Sequence, residues 1–155
     1  MKNTFGNALS VTLFGESHGE AIGATLDGLS PGITVDEEFI ISRLSRRRAQ
    51  GKTSTARTEA DVPHIVSGVF EGKTTGTPVT ILIYNENTKS KDYDATRALA
   101  RPSHADYTAY KKYHGFEDYR GGGHFSGRIT AALTAAGSIA EYALLQKGIR
   151  IGTHM

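Results

Sequence analysis

Arg128-Ile129-Thr130-Ala131-Ala132-Leu133-Thr134-Ala135-Ala136-Gly137-Ser138-Ile139-Ala140-Glu141-Tyr142-Ala143-Leu144-Leu145-Gln146-Lys147 is the stretch on which the fold turns. Alanine is the strongest helix former, and Ala131, Ala132, Ala135, Ala136, Ala140 and Ala143 fill this run. Small side chains let a helix axis come close to its neighbours, so the spacing predicts a central, buried helix. Gly148 stands where a C-terminal cap belongs. Ile149-Arg150-Ile151 then reads as the opening of a new strand, four residues from the chain's end. On that reading the sheet needs a partner segment.

Upstream, the pattern changes from helical to alternating. Leu9, Val11 and Leu13 alternate with Ser10 and Thr12, which predicts a strand over Ala8 to Phe14. Ala21 to Leu26 is a second strand, paired with the first as a hairpin across Gly15-Glu16-Ser17-His18-Gly19. Pro31-Gly32 is a turn. Thr34-Val35-Asp36-Glu37 has capping-box spacing and predicts a helix to about Arg48, with Ile40, Ile41 and Leu44 inside. Arg43 and Arg47 share another face, with Arg46 beside them. Residues 49 to 61 read as a polar loop. His64 to Phe70 and Pro78 to Tyr84 read as strands, and Ala105 to Tyr113 as a short helix. Asn85 to Ser103 is a long connection, a kind of segment that is often functional. The expected class is α+β, and no domain boundary falls between residues 1 and 155.

Composition narrows the class. The chain has 155 residues, 38% of them apolar and 22% charged, enough for one sizeable core. It contains no cysteine, which excludes disulfides, thiolate metal sites and a cysteine nucleophile. No apolar run is long enough to span a membrane, and Met1-Lys2-Asn3-Thr4-Phe5 lacks the apolar core of a secretory signal, so a cytoplasmic location is expected. A net charge of +2 gives no global field of the kind that marks nucleic-acid binders. The charge is nevertheless uneven. Arg43, Arg46, Arg47, Arg48, Lys52 and Arg57 fall in a block free of Asp and Glu, which is either a solvated face or an anion site.

Four places can carry chemistry. In Gly15-Glu16-Ser17-His18-Gly19, two glycines present a polar triplet, and His18 can exchange a proton near neutral pH. In Arg101-Pro102-Ser103-His104-Ala105-Asp106, Ser103 can cap the following helix and Asp106 can fix a tautomer of His104. Gly121-Gly122-Gly123-His124-Phe125-Ser126-Gly127-Arg128 frees the backbone to approach a phosphate or flavin, with helix N–H groups and the donors of Ser126 and Arg128 behind it. The arginine block offers planar forks that match phosphate and carboxylate. Gly51-Lys52-Thr53 and Gly72-Lys73-Thr74 end like phosphate-binding loops, but the glycine required five positions earlier is Arg46 in one and Ser67 in the other. No metal-ligand spacing is present.

These pieces together resemble the chorismate synthases. Gly15-Glu16-Ser17-His18-Gly19 with Asp27-Gly28 and Pro31-Gly32 is similar to the family's first signature. Arg46-Arg47-Arg48, the segment Ser67 to Pro78, Ser90-Lys91-Asp92-Tyr93 and Arg101 to Tyr107 follow in the family's order. Gly121-Gly122-Gly123 with Ser126-Gly127-Arg128-Ile129-Thr130 resembles the second signature. The resemblance runs from about Thr4 to the last residue.

It implies a lyase of the shikimate pathway, which eliminates phosphate from 5-enolpyruvylshikimate 3-phosphate to give chorismate for aromatic amino-acid biosynthesis. It also implies reduced FMN as cofactor, with NADPH as a possible reductant. Carried over by position, His18 is the acid near the departing phosphate and His104 protonates or stabilises the reduced flavin. Arg47, Arg48 and Lys52 hold the substrate. His124, Phe125, Ser126 and Arg128 contact FMN, with His124 and Phe125 departing from the family's commoner Arg-Ser at those places. The family fold packs central helices between antiparallel sheets in two related halves, of which this chain is the first. The family's third signature, with a carboxylate that accepts the substrate proton, has no counterpart here. A small-molecule substrate, a homo-oligomer (typically a tetramer) and no nucleic-acid or membrane partner are the expectations that follow. The competing class is a non-catalytic anion-binding module built on Arg43 to Arg57.

Overall fold

A computed structural model describes residues 2–47, 60–86 and 99–153. Its strands are β1 (Thr4–Gly6), β2 (Ser10–Gly15), β3 (Ala21–Asp27), β4 (His64–Ser67), β5 (Val69–Phe70), β6 (Lys73–Thr74) and β7 (Val79–Tyr84). Its helices are α1 (Glu37–Arg47), α2 (Asp106–Tyr113) and α3 (Thr130–Leu145). Five strands form one antiparallel sheet in the order β1-β2-β3-β7-β4, and β5 and β6 form a separate hairpin.

The sheet's inner face follows from strict alternation along its two central strands. Ile22, Ala24 and Leu26 of β3 stand opposite Ile83, Ile81 and Val79 of β7, and all six side chains are buried. Each fully buried Ile or Val contributes about 1.5–3 kcal/mol relative to exposure. α3 lies across this face on Ala131, Ala132, Ala135, Ala136 and Ile139, one stripe of helical period, and α1 packs against α3 through Ile40 and Leu44. The outer face is polar. Thr4, Thr12, Thr25, Thr80 and Ser67 stand in register across all five strands, as suits an antiparallel sheet with one open side.

Several expectations are corrected. His64 to Phe70 is not one strand. At Gly68, φ is 81° and a Cβ would lie 2.5 Å from the Pro78 carbonyl oxygen, so the backbone leaves the sheet and β5 pairs with β6 instead. The cap of α1 is Asp36 rather than Thr34. The Asp36 Oδ1 accepts the Phe39 N–H at 2.9 Å, whereas Thr34 bridges to Lys73. Ile41 is 46% exposed, because the buried stripe of α1 passes through Ile40 and Leu44. Ser103 does not cap α2; it sits at φ 62°, and Ala105 precedes the helix with no side-chain cap. Ile149 to Ile151 begins no strand. The Ile149 N–H bonds the Leu144 carbonyl and the Gly148 N–H bonds that of Leu145, which closes α3 with the expected glycine cap at φ 74°. β1 is an edge strand that the sequence pattern did not disclose. No helix among the described residues is long and apolar enough to cross a membrane.

Candidate functional site

The site is built on the glycine run. Arg120–Phe125 winds as tight 3-10 turns in which Gly121, Gly122 and Gly123 take φ of 58°, 86° and 53°. Glycine adopts such angles freely because it has no Cβ. Here the missing Cβ atoms also make room. On Gly121 a Cβ would overlap the Cε1–Nδ1 edge of His18. On Gly122 it would lie 2.5 Å from His104 Cε1 and 2.7 Å from Nε2, and on Gly123 it would strike the Asp118 carbonyl. Two histidines far apart in sequence thus rest on consecutive residues of one turn.

The loop carrying His18 joins β2 to β3 and is tied from three directions. The N–H of buried Ser17 donates to the Gly123 carbonyl at 3.1 Å. Asn85 Nδ2 donates to the carbonyls of Glu16 and Gly19 at 3.0 and 2.8 Å. His124 Nδ1 lies 2.9 Å from the Gly15 carbonyl, which only a protonated nitrogen can satisfy. At the mouth, Asp118 accepts two guanidinium bonds from Arg120, both at 2.8 Å. Burial pushes the Asp118 carboxyl up, but the Arg120 bonds and charge outweigh it and hold it below its ordinary value.

His104 has its own frame. Its Nδ1 lies 2.6 Å from Asp106 Oδ1. The other Asp106 oxygen accepts from the Arg101 N–H at 2.9 Å and from Arg101 Nε at 2.8 Å, and Arg101 Nη2 reaches Oδ1 at 2.8 Å. This arginine fork, opposed only in part by burial, holds the Asp106 carboxyl far below the usual carboxylate range.

Beside these groups lies a cavity of about 660 Å³. Its walls include the rings of Phe14, Tyr110, Tyr113 and Phe125, with Arg101, Lys111 and His124 among the polar groups and Gly122 in the lining. Lys112 Nζ stands 5.1 Å from the Tyr113 ring centroid and 5.7 Å from that of Phe125, within cation–π range. The lining also holds Glu16, Asp106, Glu117 and Asp118, so its aromatic walls suit a planar ligand while its charge is mixed. Phe125 is 37% exposed, and Ser126 Oγ accepts the Arg128 N–H at 3.3 Å at the start of α3.

The arginines form a second cluster. Asp61, almost fully buried, pairs through Oδ2 with Arg47 Nη1 at 2.8 Å and through Oδ1 with Arg128 Nη1. Arg128, with 5% of its side chain exposed, also donates to Asn85 Oδ1 at 3.0 Å and the Tyr84 carbonyl at 3.3 Å. Arg47 further donates to Thr130 Oγ1 and the Gly127 carbonyl, both at 3.2 Å. Arg43 pairs with Glu141 through two bonds of 2.8 and 2.6 Å. Arg48 and Lys52, and the Ser90 to Tyr93 motif, lie outside the described residues.

The structure therefore brings His18 and His104 to one glycine turn, and places His124 and Phe125, but neither of those two histidines, in the lining of the cavity beside it. It sets Arg47 and Arg128 on Asp61, with the Arg128 guanidinium turned inward. Asp61 and Asn85 are the residues that sequence reasoning missed. Asp61 sat in a polar loop with no local pattern. Asn85, directly after a strand and able both to donate and to accept, was the more readable of the two. No cluster of His, Asp and Glu able to hold a metal occurs among the described residues.

An antiparallel sheet backed by a small-residue helix, with two histidines seated on a glycine turn beside an aromatic cavity of mixed charge, defines the α+β class to which the chain belongs. The chorismate synthase family model matches residues 9–155, and the chain belongs to that family. Chorismate synthase of Chitinophaga pinensis is 52% identical over 149 residues, covering 96% of this chain and 45% of that protein. The enzyme of Sulfurovum sp. strain NBC37-1 is 53% identical over 150 residues, covering 96% and 42%. That of the archaeon Thermococcus gammatolerans is 51% identical over 150 residues, covering 97% and 42%. A crystal structure of a chorismate synthase superposes with a TM-score of 0.66 at 32% identity, over 93% of this chain and 36% of that one. The chain spans less than half the length of these relatives.

Proposed function

We propose that this chain carries the proton-donating and flavin-facing part of a chorismate synthase. The reaction is the 1,4-elimination of phosphate from 5-enolpyruvylshikimate 3-phosphate. The observation that carries this reading is the seating of His18 and His104 on the adjacent glycines Gly121 and Gly122, the second of which lines the cavity. Reduced FMN, when bound, supplies electron density that eases departure of the phosphate. The residues present fit that cofactor: Tyr110, Tyr113 and Phe125 offer flat apolar walls, and Arg101, Lys111 and His124 offer positive or donating edges.

The chain's own residues do the rest. His18 gives a proton to the phosphate as its charge grows, a role for which an imidazole is matched near neutral pH. His104 holds a proton beside the flavin. Arg47 grips the substrate phosphate by turning its fork from Asp61, and Arg48 and Lys52 are assigned to the same substrate. Ser126 shapes the turn under the cofactor, and Arg128 fastens that turn to Asp61 and Asn85. NADPH is one possible reductant, a partner flavin reductase the other, and the second sheet of the family sandwich, a homotetramer and a cytoplasmic location complete the reading. The rival anion-binding module is weakened by Glu141, which already neutralises Arg43.

The test is the absorbance spectrum of FMN titrated with the chain, with and without 5-enolpyruvylshikimate 3-phosphate. A flavin band shift that deepens with substrate is expected. An FMN spectrum indifferent to the chain, together with salt-steep binding to any oligonucleotide, would leave the polyanion module standing.

A further inference from the structure

His104 acts through a nitrogen whose protonation is set by a residue outside the family roles carried over above. We propose that Asp106, locked by Arg101, is the positioning residue that makes His104 an Nδ1–H tautomer and leaves Nε2 bare toward the Gly122 side of the cavity. The inference rests on the reading of His104 as a catalytic residue, but its structural half can be tested separately.

His104 meets both an acceptor and a donor: Asp106 Oδ1 at 2.6 Å from Nδ1, and Arg101 Nη2 at 3.2 Å from Nδ1 and 3.5 Å from Nε2. An arginine only donates, so the shorter carboxylate contact puts the hydrogen on Nδ1 and leaves Nε2 as the nitrogen that can accept from Arg101. Asp106 Oδ2 is occupied by two Arg101 donors, the backbone N–H at 2.9 Å and Nε at 2.8 Å. Asp106 Oδ1 accepts Arg101 Nη2 at 2.8 Å and faces His104 Nδ1 at 2.6 Å. A carboxylate only accepts, so Nδ1 must carry the hydrogen. The carboxylate cannot turn away, because the fork and the backbone N–H together fix its plane. Asp106 is also the first residue of α2, where the helix dipole favours a negative charge. Nε2 lies on the ring edge packed against Gly122, where any Cβ would come within 2.7 Å. The proton that His104 donates or receives therefore passes through Nε2.

The same geometry predicts an inversion. In Asp106→Asn the amide oxygen must take the Oδ2 place, since that site receives two donors. The amide NH2 then faces His104 Nδ1, which has to become an acceptor, and the bond from Arg101 Nη2 to that place is lost because both groups only donate. The isosteric change thus moves the imidazole hydrogen from Nδ1 to Nε2 with the fold kept.

Two-bond proton–nitrogen correlation spectra of the nitrogen-15-labelled chain, recorded where His104 is neutral, read this directly. Expected is a protonated Nδ1 and bare Nε2 in the parent chain, and the reverse in Asp106→Asn. Arg101→Lys, which keeps the charge but loses the fork, should give a mixture of both forms. A parent His104 protonated at Nε2, or an Asp106→Asn chain that retains Nδ1–H, overturns the proposal. Turnover is read in the enzyme that carries this segment. There Asp106→Asn should lower turnover about 10- to 1000-fold, approaching His104→Ala. A His104→Ala enzyme of unchanged turnover would sink the catalytic reading of His104 while leaving the tautomer result to stand or fall by the spectra.

Discussion

Gly121 and Gly122 are each matched to one ring, and the match is steric. An L-residue in the left-handed region costs about 1–2 kcal/mol, and here the added methyl also meets an imidazole. Gly121→Ala should therefore shift the ring resonances of His18 and leave those of His104 near their places. Gly122→Ala should do the reverse. Gly137, with open space around it, is the control: Gly137→Ala should move neither ring and should stabilise α3 by about 0.5–1 kcal/mol. Equal disturbance of both histidines by either glycine variant would show that the turn moves as one body. The glycine run was legible in the sequence as a place where backbone comes close to something. That the something is two histidines was not, because contact between residues 18 and 121 depends on where the β2–β3 loop meets the turn before α3.

Among the elements, three ion pairs fasten segments that the sheet does not hold: Arg101–Asp106 at the head of α2, Arg120–Asp118 at the glycine turn and Arg43–Glu141 between α1 and α3. The partner arginine's bonds hold Asp106 and Glu141 below their ordinary carboxyl values, and they do so for Asp118 against its burial. A carboxyl depressed in the folded chain binds fewer protons there than in the unfolded chain. Stability from these pairs is thus fully present above the unfolded carboxylate range, about pH 4–4.5, and is lost as pH falls through the folded values. Urea midpoints measured between neutrality and pH 3 should decline below about pH 4.5. In Asp106→Asn the decline should be shallower, because one depressed group is gone. An unchanged acid slope in that variant would count against Asp106 as a contributor. Helix α1 was readable from its acidic start and its Ile40–Leu44 spacing. Its cap was misplaced by two residues because Thr34 was drawn into a bridge with Lys73, a tertiary pairing that local capping rules do not see.

For the whole molecule, the sheet covers one side of α3 and leaves the other side open. Leu133 is 40% exposed on that outer side, near Gly137, and Ile41 of α1 is 46% exposed. Apolar area of this kind favours association. The chain is accordingly expected to run as an oligomer in sedimentation velocity, with Leu133→Lys shifting it toward monomer. A concentration-independent monomer would refute this. The polar row of Thr4, Thr12, Thr25 and Thr80 on the sheet's outer face pairs within itself, Thr4 with Thr12 at 2.8 Å and Thr25 with Thr80 at 3.0 Å.

The sequence by itself determined the local periods. Ile22, Ala24 and Leu26 with Val79, Ile81 and Ile83 had to be two half-buried strands, the alanine run had to be a buried helix, and the colinear motifs pointed to the family. These rest on side-chain size and spacing, which act within a few residues of themselves. Only the tertiary structure decided that β3 lies beside β7, that His64 to Phe70 divides at Gly68, and that Asp61 joins Arg47 to Arg128. Each of these is a meeting of distant segments, settled by which backbone groups and charges need partners once the core has closed. A run of sequence states what a residue can bond, and the packed chain states what is there to be bonded.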